Sequence, residues 1–308
     1  MQDKDFLIGI IGPTATGKTD AALLLAQNYN VEILSADASQ TRIGMEIGTA
    51  APTIEQQSFT RHHFINFIDP DSDWNIKKFV ELAENKIKHL NKRNRIPLLV
   101  GGSGLYIWSL LEGRSIPEVK PDLELRSELE SIAETKGHDF LFNILKNEDP
   151  ISAERIDPLN IRRVIRALEI VRTTGMPVQP IEYKDQYNAH LIAFEWPEEV
   201  LLERIEQRVH FMYDNGFIDE VNNLLSKYSP SLEAFKSIGY QEVIAYINKD
   251  ISLDESIEMT IQSTKRFLKM QSRWFKKNDP RINWIPGNNP DILLEQVHNI
   301  VKKELKNG

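Results

Sequence analysis

An α/β fold built on a parallel sheet is what this sequence predicts, and three observations carry the prediction. Gly12-Pro13-Thr14-Ala15-Thr16-Gly17-Lys18-Thr19 fits the phosphate-cradling pattern GxxxxGK[ST] directly after an apolar run, Phe6 to Ile11. Apolar runs with turn punctuation then alternate with helix-period segments. Between about residues 117 and 187 the alternation stops, and charged helical patterns run on without a strand signal. The 308 residues exceed one small core and suit a main domain plus one more module. The fold class is therefore α/β: a P-loop-containing parallel sheet core, residues 1–116 and 188–308, with a helical insertion domain, residues 117–187.

The elements follow in order. Phe6 to Ile11 reads as a buried strand that feeds the glycine loop and a helix, Asp20 to Tyr29, with Ala21, Leu24 and Leu25 on one face. Successive backbone N–H groups and a positive helix end then meet at one spot, suited to a di- or triphosphate. Lys18 would neutralise distal phosphates and Thr19 would offer its hydroxyl to magnesium. The second strand, Val31 to Leu34, ends in Ser35-Ala36-Asp37-Ala38-Ser39-Gln40, on the sheet edge where ligands collect. Asp37 there can accept a proton or hold magnesium through water, and equally can cap a helix or close an Asx turn. Gly44 to Ala50 is too rich in small residues for a packed element and reads as a loop near ligand. Phe64 to Ile68 reads as a third strand closing on Asp69, a metal-motif position, although Pro70 also suits a turn. Ile96 to Val100 runs into Gly101-Gly102-Ser103-Gly104, where backbone can approach a ligand; no aspartate ends this strand, which counts against ordinary ATP hydrolysis. Helices are expected at Asp122 to Lys136 and Ile161 to Arg172, with Pro117, Pro121, Pro177 and Pro180 marking the insertion's exits. His190 to Phe194 returns to strand. Glu198 to Lys227 and Ser252 to Lys277 read as helices, then Ile282 to Ile285 as a short apolar piece before a closing helix.

Composition narrows the function. No run approaches the roughly 20 apolar residues of a membrane span, and Met1 to Asp5 lacks a signal-peptide stretch, so a cytoplasmic protein with no membrane partner is expected. Zero cysteines remove disulfides, thiolate catalysis and cysteine-held zinc. The net charge of −8 argues against indiscriminate nucleic-acid binding but permits local basic surfaces. Two stand out: Arg162, Arg163, Arg166 and Arg172, with Arg162 and Arg166 on an exposed face, and a later stripe of Lys265, Lys269, Arg273 and Lys276 opposite Phe267, Met270 and Trp274. Arg204 and Arg208, one turn apart, can clamp an anion or pair with Glu203 and Glu206. The seven histidines show no metal-ligand spacing, and His62-His63 read as supporting or structural residues.

The phosphate loop, Ser35-Ala36-Asp37, Gly44 to Ala50 with Pro52, His62-His63 with Asp69-Pro70, Gly101 to Tyr106, Arg166 to Glu169 and Ile238-Gly239-Tyr240-Gln241 together resemble the tRNA dimethylallyltransferase family, from residue 8 to about 275. The resemblance implies transfer of a dimethylallyl group from dimethylallyl diphosphate to the exocyclic amine of the adenosine beside the anticodon of tRNA, with release of diphosphate and magnesium as cofactor. It implies that Gly12, Pro13, Thr14, Ala15, Thr16, Gly17, Lys18 and Thr19 hold the diphosphate, with Thr19 on the metal. Lys18, Thr19 and Arg208 would stabilise the leaving charge, and Asp37 would take the amine proton. tRNA contacts are implied for Asp37, Ala38, Ser39, Gln40, Ser103, Arg162, Arg163, Arg166, Lys236, Gly239, Tyr240, Gln241, Lys265, Lys269 and Arg273, around a base turned out of its loop. A monomer is expected. The sequence departs from the family pattern at Ala38 (usually serine), near Arg42 (tyrosine), Glu46 (aspartate), Ala51 (lysine), Ser103 (threonine) and Met270 (arginine). Prenylation of free adenine nucleotides and phosphoryl transfer by a P-loop kinase are the competing activities, and a catalytically silent RNA-binding module is the competing class. The long insertion speaks against the first.

Overall fold

The computed structural model describes residues 4–114, 119–179, 184 and 186–307, with side chains to 303. Pro117, Pro180 and the start of the chain, Met1 to Asp3, lie outside the described residues. Along the chain run β1 (Asp5–Ile11), α1 (Lys18–Asn28), β2 (Val31–Ser35), α2 (Ile54–Ser58), β3 (His62–His63), α3 (Ile76–Lys92), β4 (Ile96–Gly101) and α4 (Gly104–Leu111). Then come α5 (Leu123–Lys136), α6 (His138–Glu148), α7 (Pro150–Ala153) and α8 (Ile161–Thr174). β5 (Tyr187–Glu195), α9 (Glu198–Asp214), α10 (Phe217–Leu225), α11 (Tyr240–Ile247), α12 (Leu253–Ser272), β6 (Ile282–Pro286) and α13 (Pro290–Asn307) complete it. Two units result: Met1–Gly113 with Lys184–Gly308, and Arg114–Tyr183.

In the first unit all described strand pairs are parallel, in the order β3-β2-β4-β1-β5-β6. A parallel sheet is covered on both faces, so its inner strands carry unbroken apolar runs; Leu7, Ile8, Ile10 and Ile11 of β1 are fully buried. Ile8, Ile10, Leu25, Ile192, Leu293 and Val297 belong to one core, which joins the sheet to α1 and α13. α3 buries Phe79, Val80, Ala83, Ile87 and Leu90, one face of a 3.6-residue period, and Asn75 caps its start by accepting from the Lys78 N–H. The phosphate-loop strand β1 lies between β4 and β5; the crossover after β1 runs one way to β2 and the crossover after β4 runs the other way to β5, which opens a crevice at the strands' carboxyl ends.

Three expectations are corrected. Phe64 to Ile68 is not a strand: β3 is only His62–His63, because Phe64 (φ 67°) and Asn66 (φ 46°) are left-handed and break the ladder. Phe64 and Ile65 are buried in an aromatic corner, Phe64 packing edge-on to the exposed Phe67 and to Phe79. Glu198 to Lys227 is two helices, broken at Gly216 (φ 96°). Lys236 to Gln241, which reads as a loop in the sequence, gives way to helix at Tyr240, the first residue of α11.

The second unit is helical. Leu129, Leu141, Leu145, Val164 and Leu168 form its core. Glu169, with no exposed surface, accepts from Nε and Nη2 of Arg126 (2.9 Å each) and from the Asp122 N–H (2.7 Å), and is paired with Arg166. Burial alone would raise its pKa; these donors outweigh burial and hold the carboxyl below its usual range. Arg166 is thereby corrected: it does not share a free solvent face with Arg162, since its guanidinium is held by Glu169 and by the Val119 carbonyl. Arg162 and Arg163 are exposed, and Arg172 is bound to Glu148.

Candidate active site

Gly12 (φ 137°), Ala15 (φ 65°) and Gly17 (φ 84°) turn the chain back between β1 and α1, so the loop's amides and the first turn of α1 face one hollow. Internal bonds set the loop: Thr16 Oγ1 donates to the Pro13 carbonyl (2.9 Å), and so does Lys18 Nζ (2.5 Å). α9 braces it from outside, Arg208 Nη1 donating to Thr14 Oγ1 (3.0 Å) and Arg204 Nη1 to the Ala15 carbonyl (3.3 Å). Arg204 also stacks on Trp196, whose Nε1 donates to the Thr16 carbonyl (3.0 Å). Neither arginine pairs with Glu203 or Glu206; Glu206 instead binds Lys265. The hollow measures about 260 Å³ and is lined by Thr14 to Asp20 together with Asp37, Gln40, His62, Arg208 and Gln271, among others.

Burial, then the guanidinium of Arg208, lowers the pKa of Lys18 to about 7, against a smaller upward pull from Asp37. A second cleft of about 590 Å³ adjoins this hollow. Thr14, Asp37, Thr49, Ala50 and Arg208 line both. The second cleft continues past Ala38, Ser39, Ser103, Lys236, Arg266, Phe267 and Met270, so one end is polar and one wall apolar.

Asp37 is placed by an Asx turn, its Oδ1 accepting from the Ser39 N–H (3.1 Å) and Ser39 Oγ (2.7 Å). The turn and the position facing ligand space hold together, where the spacing alone left them as rivals. Ser103 Oγ accepts from the Ala38 N–H and the Ser103 N–H donates to the Ala36 carbonyl, tying the end of β4 to that of β2. Gly101 is required there, since a Cβ would run into the Ala36 backbone.

The Gly44 to Ala50 loop is clamped by Glu220 of α10, which accepts from the N–H groups of Ile47 (2.7 Å) and Gly48 (2.9 Å) and from the Tyr240 hydroxyl (2.7 Å). Tyr240 is therefore corrected as a ligand contact: its side chain is 0% exposed and works inside the fold. Gly239 likewise packs on Phe217, whereas Gln241 is exposed. Lys265 (bound to Glu206) and Lys269 (4.0 Å from Glu198) lie along α12, and Arg273 stands at its C-terminal end. Met270, expected on the packed face, is 49% exposed because Ile261, Leu268 and Gln271 take that face. Asp69 starts a turn, its carbonyl accepting from the Ser72 N–H and Arg42, and lines neither cavity. His63 is held by Glu32 (2.7 Å), whose other oxygen binds Arg95. Sequence reasoning missed Gln271, Arg266 and Glu220: a polar residue on a helix carries no spacing signal for what it meets across the fold.

Among the described residues, no group of three or more His, Cys, Asp and Glu side chains is placed to hold a metal. The hollow nevertheless offers oxygens from Thr19, Asp20 and Asp37, a set that suits a hard cation completed by phosphate oxygens.

A phosphate loop on a parallel sheet, opening beside a cleft with which it shares a carboxylate, defines a P-loop α/β protein with two adjoining cavities. The family model described as IPP transferase matches residues 43–278, and the chain belongs to the tRNA dimethylallyltransferase family. It is 37% identical to the tRNA dimethylallyltransferase of Alkaliphilus oremlandii, with 98% of each chain covered. It is 34% identical to the full-length tRNA isopentenylpyrophosphate transferase crystal structure from Bacillus halodurans (TM-score 0.72, 99% of this chain and 98% of that one). A eukaryotic dimethylallyltransferase structure shares the fold at 24% identity (TM-score 0.80, 98% of this chain and 80% of that one). No described helix is long and apolar enough to cross a membrane.

Proposed function

We propose that this chain transfers a dimethylallyl group from dimethylallyl diphosphate to the exocyclic N6 amine of the adenosine 3′ of the anticodon in tRNA, releasing diphosphate. The observation that carries this reading is the common wall of the two cavities: Thr14, Asp37 and Arg208 border the phosphate hollow and the cleft beside it. A donor anchored by its diphosphate in one space then presents its reactive carbon to an amine seated in the other.

Residues 12 to 19 cradle the diphosphate. Lys18 and Arg208 stabilise negative charge as the allylic C–O bond breaks. The adenine nitrogen forms the new C–N bond, and its proton passes to the carboxylate of Asp37, already fixed by Ser39. Thr19 would hold magnesium with the donor's phosphate oxygens, where the ion supplies further charge neutralisation for the leaving group. The Phe267 and Met270 wall suits the flat face of a base, and Arg266 and Lys236 suit the flanking phosphates. Arg162 and Arg163 of the insertion add backbone contacts. A monomer belongs to this reading, and its tRNA substrate favours the cytoplasm.

The test is incubation of the protein with unmodified tRNA, magnesium and dimethylallyl diphosphate, followed by mass analysis of the nucleosides. An adenosine heavier by one isoprene unit, mapping beside the anticodon, is the expected result. Label transferred from the γ-phosphate of ATP to a small acceptor, with tRNA unchanged, overturns the reading.

A further inference from the structure

Gln271 stands out among the buried polar groups because it has no charge to neutralise and both ends of its carboxamide are in use. It is 4% exposed. From α12, its Oε1 accepts from the Thr14 N–H of the phosphate loop (2.8 Å), and its Nε2 donates to the Gly102 carbonyl after β4 (3.0 Å). The residue after Gly102 is Ser103, which anchors both Ala36 and Ala38 around Asp37. On the other arm, Thr14 carries Arg208 on its hydroxyl. One side chain thus joins the loop facing the leaving group to the turn that fixes the carboxylate. Gly102 has no room for variation here: a Cβ would meet Gln271 Nε2 and lie 2.9 Å from the Gly12 carbonyl.

Resting on the functional reading above, we propose that Gln271 is a positioning residue for the transfer step, holding the donor's diphosphate in register with Asp37. Glutamine is the side chain that can accept at one arm and donate at the other across this gap. Misplacing reacting groups by an ångström costs about a hundredfold in rate.

The experiment compares the full-length wild type with Gln271→Met, which keeps the volume and loses both bonds, and Gln271→Glu, which keeps the acceptor toward Thr14. Single-turnover rate and amplitude are read at saturating dimethylallyl diphosphate and unmodified tRNA, alongside dissociation constants for each. Gln271→Met is expected to lower the rate constant about 10- to 100-fold at full amplitude, with tRNA affinity within about twofold of wild type. Gln271→Glu, adding negative charge beside the diphosphate, is expected to weaken donor binding as well as slow the step. A merely structural role predicts reduced amplitude at the wild-type rate constant, and that result, or an unchanged rate in Gln271→Met, overturns the proposal. A wild type that transfers nothing overturns the functional reading, and this inference with it.

Discussion

Lys18 and Asp37 show how much chemistry a single environment can impose on an ordinary side chain. With its pKa lowered to about 7 by burial and Arg208, Lys18 carries its proton only part of the time at neutral pH, whereas a bound diphosphate favours the ammonium. Donor binding must then draw in a proton above pH 7, and donor affinity falls as pH rises through that value. Titration calorimetry near pH 8 in two buffers of different ionisation enthalpy is expected to read net proton uptake; heats independent of buffer would contradict it. Asp37→Ala, which removes the proton acceptor, is expected to cut single-turnover rates by about 10²–10⁴ while tRNA affinity stays near wild type. An unchanged rate would free Asp37 from that role. The position of Asp37 at a strand end was legible in the sequence, since the sheet alternation puts such residues at the ligand edge. Gln271 was not, because its partners lie 257 and 169 positions away.

Elements were legible where periodicity was long and became ambiguous where apolar runs were short. α8 declares itself by one buried face, but Phe64 to Ile68 reads as a strand only while backbone handedness is unknown, and two left-handed residues undo it. The Gly44 to Ala50 loop was legible as small-residue backbone outside any packed element, yet its clamp was not. Gly48 lies against Phe217 and Tyr240 with no space for a methyl group, so Gly48→Ala should displace the loop that lines both cavities. We expect it to raise the KM for donor and for tRNA together, with a thermal midpoint lowered by a few degrees; wild-type kinetics would show that the loop tolerates the shift. On α12, Met270 borders the cleft where relatives are expected to place an arginine. Met270→Arg is expected to tighten tRNA binding and to steepen the slope of log affinity against log salt by about one unit. A slope identical to wild type would separate this position from the RNA backbone.

At the scale of the whole molecule, an acidic chain is expected to handle a polyanion by concentrating cations locally. The insertion unit offers Arg162 and Arg163 as exposed charges while spending Arg126 and Arg166 on Glu169. Substituting alanine for Arg162 and Arg163 together should weaken tRNA binding and reduce the salt slope by about two, leaving donor affinity unchanged, as filter binding across a salt series would read. Glu169→Ala belongs to a different class. It strips the partner from two guanidiniums that are 33% and 30% exposed, so we expect a loss of about 2–3 kcal/mol, below the cost of breaking a fully buried pair. Because Glu169 is held below the usual carboxylate range, its contribution is complete above that range and is lost as pH falls through the lowered value. Denaturant midpoints at neutral and acid pH check both statements.

The bond from Lys18 to the carbonyl of Pro13 in its own loop has a consequence for which anions can lodge there. A guest must first detach the ammonium from an acceptor already at hand, and a small singly charged ion gains little by that exchange. A chelating polyanion gains several amides, the freed ammonium and the guanidinium of Arg208 at one stroke. Discrimination in favour of multiply charged guests therefore begins within eight residues of backbone, before any tail or acceptor is recognised.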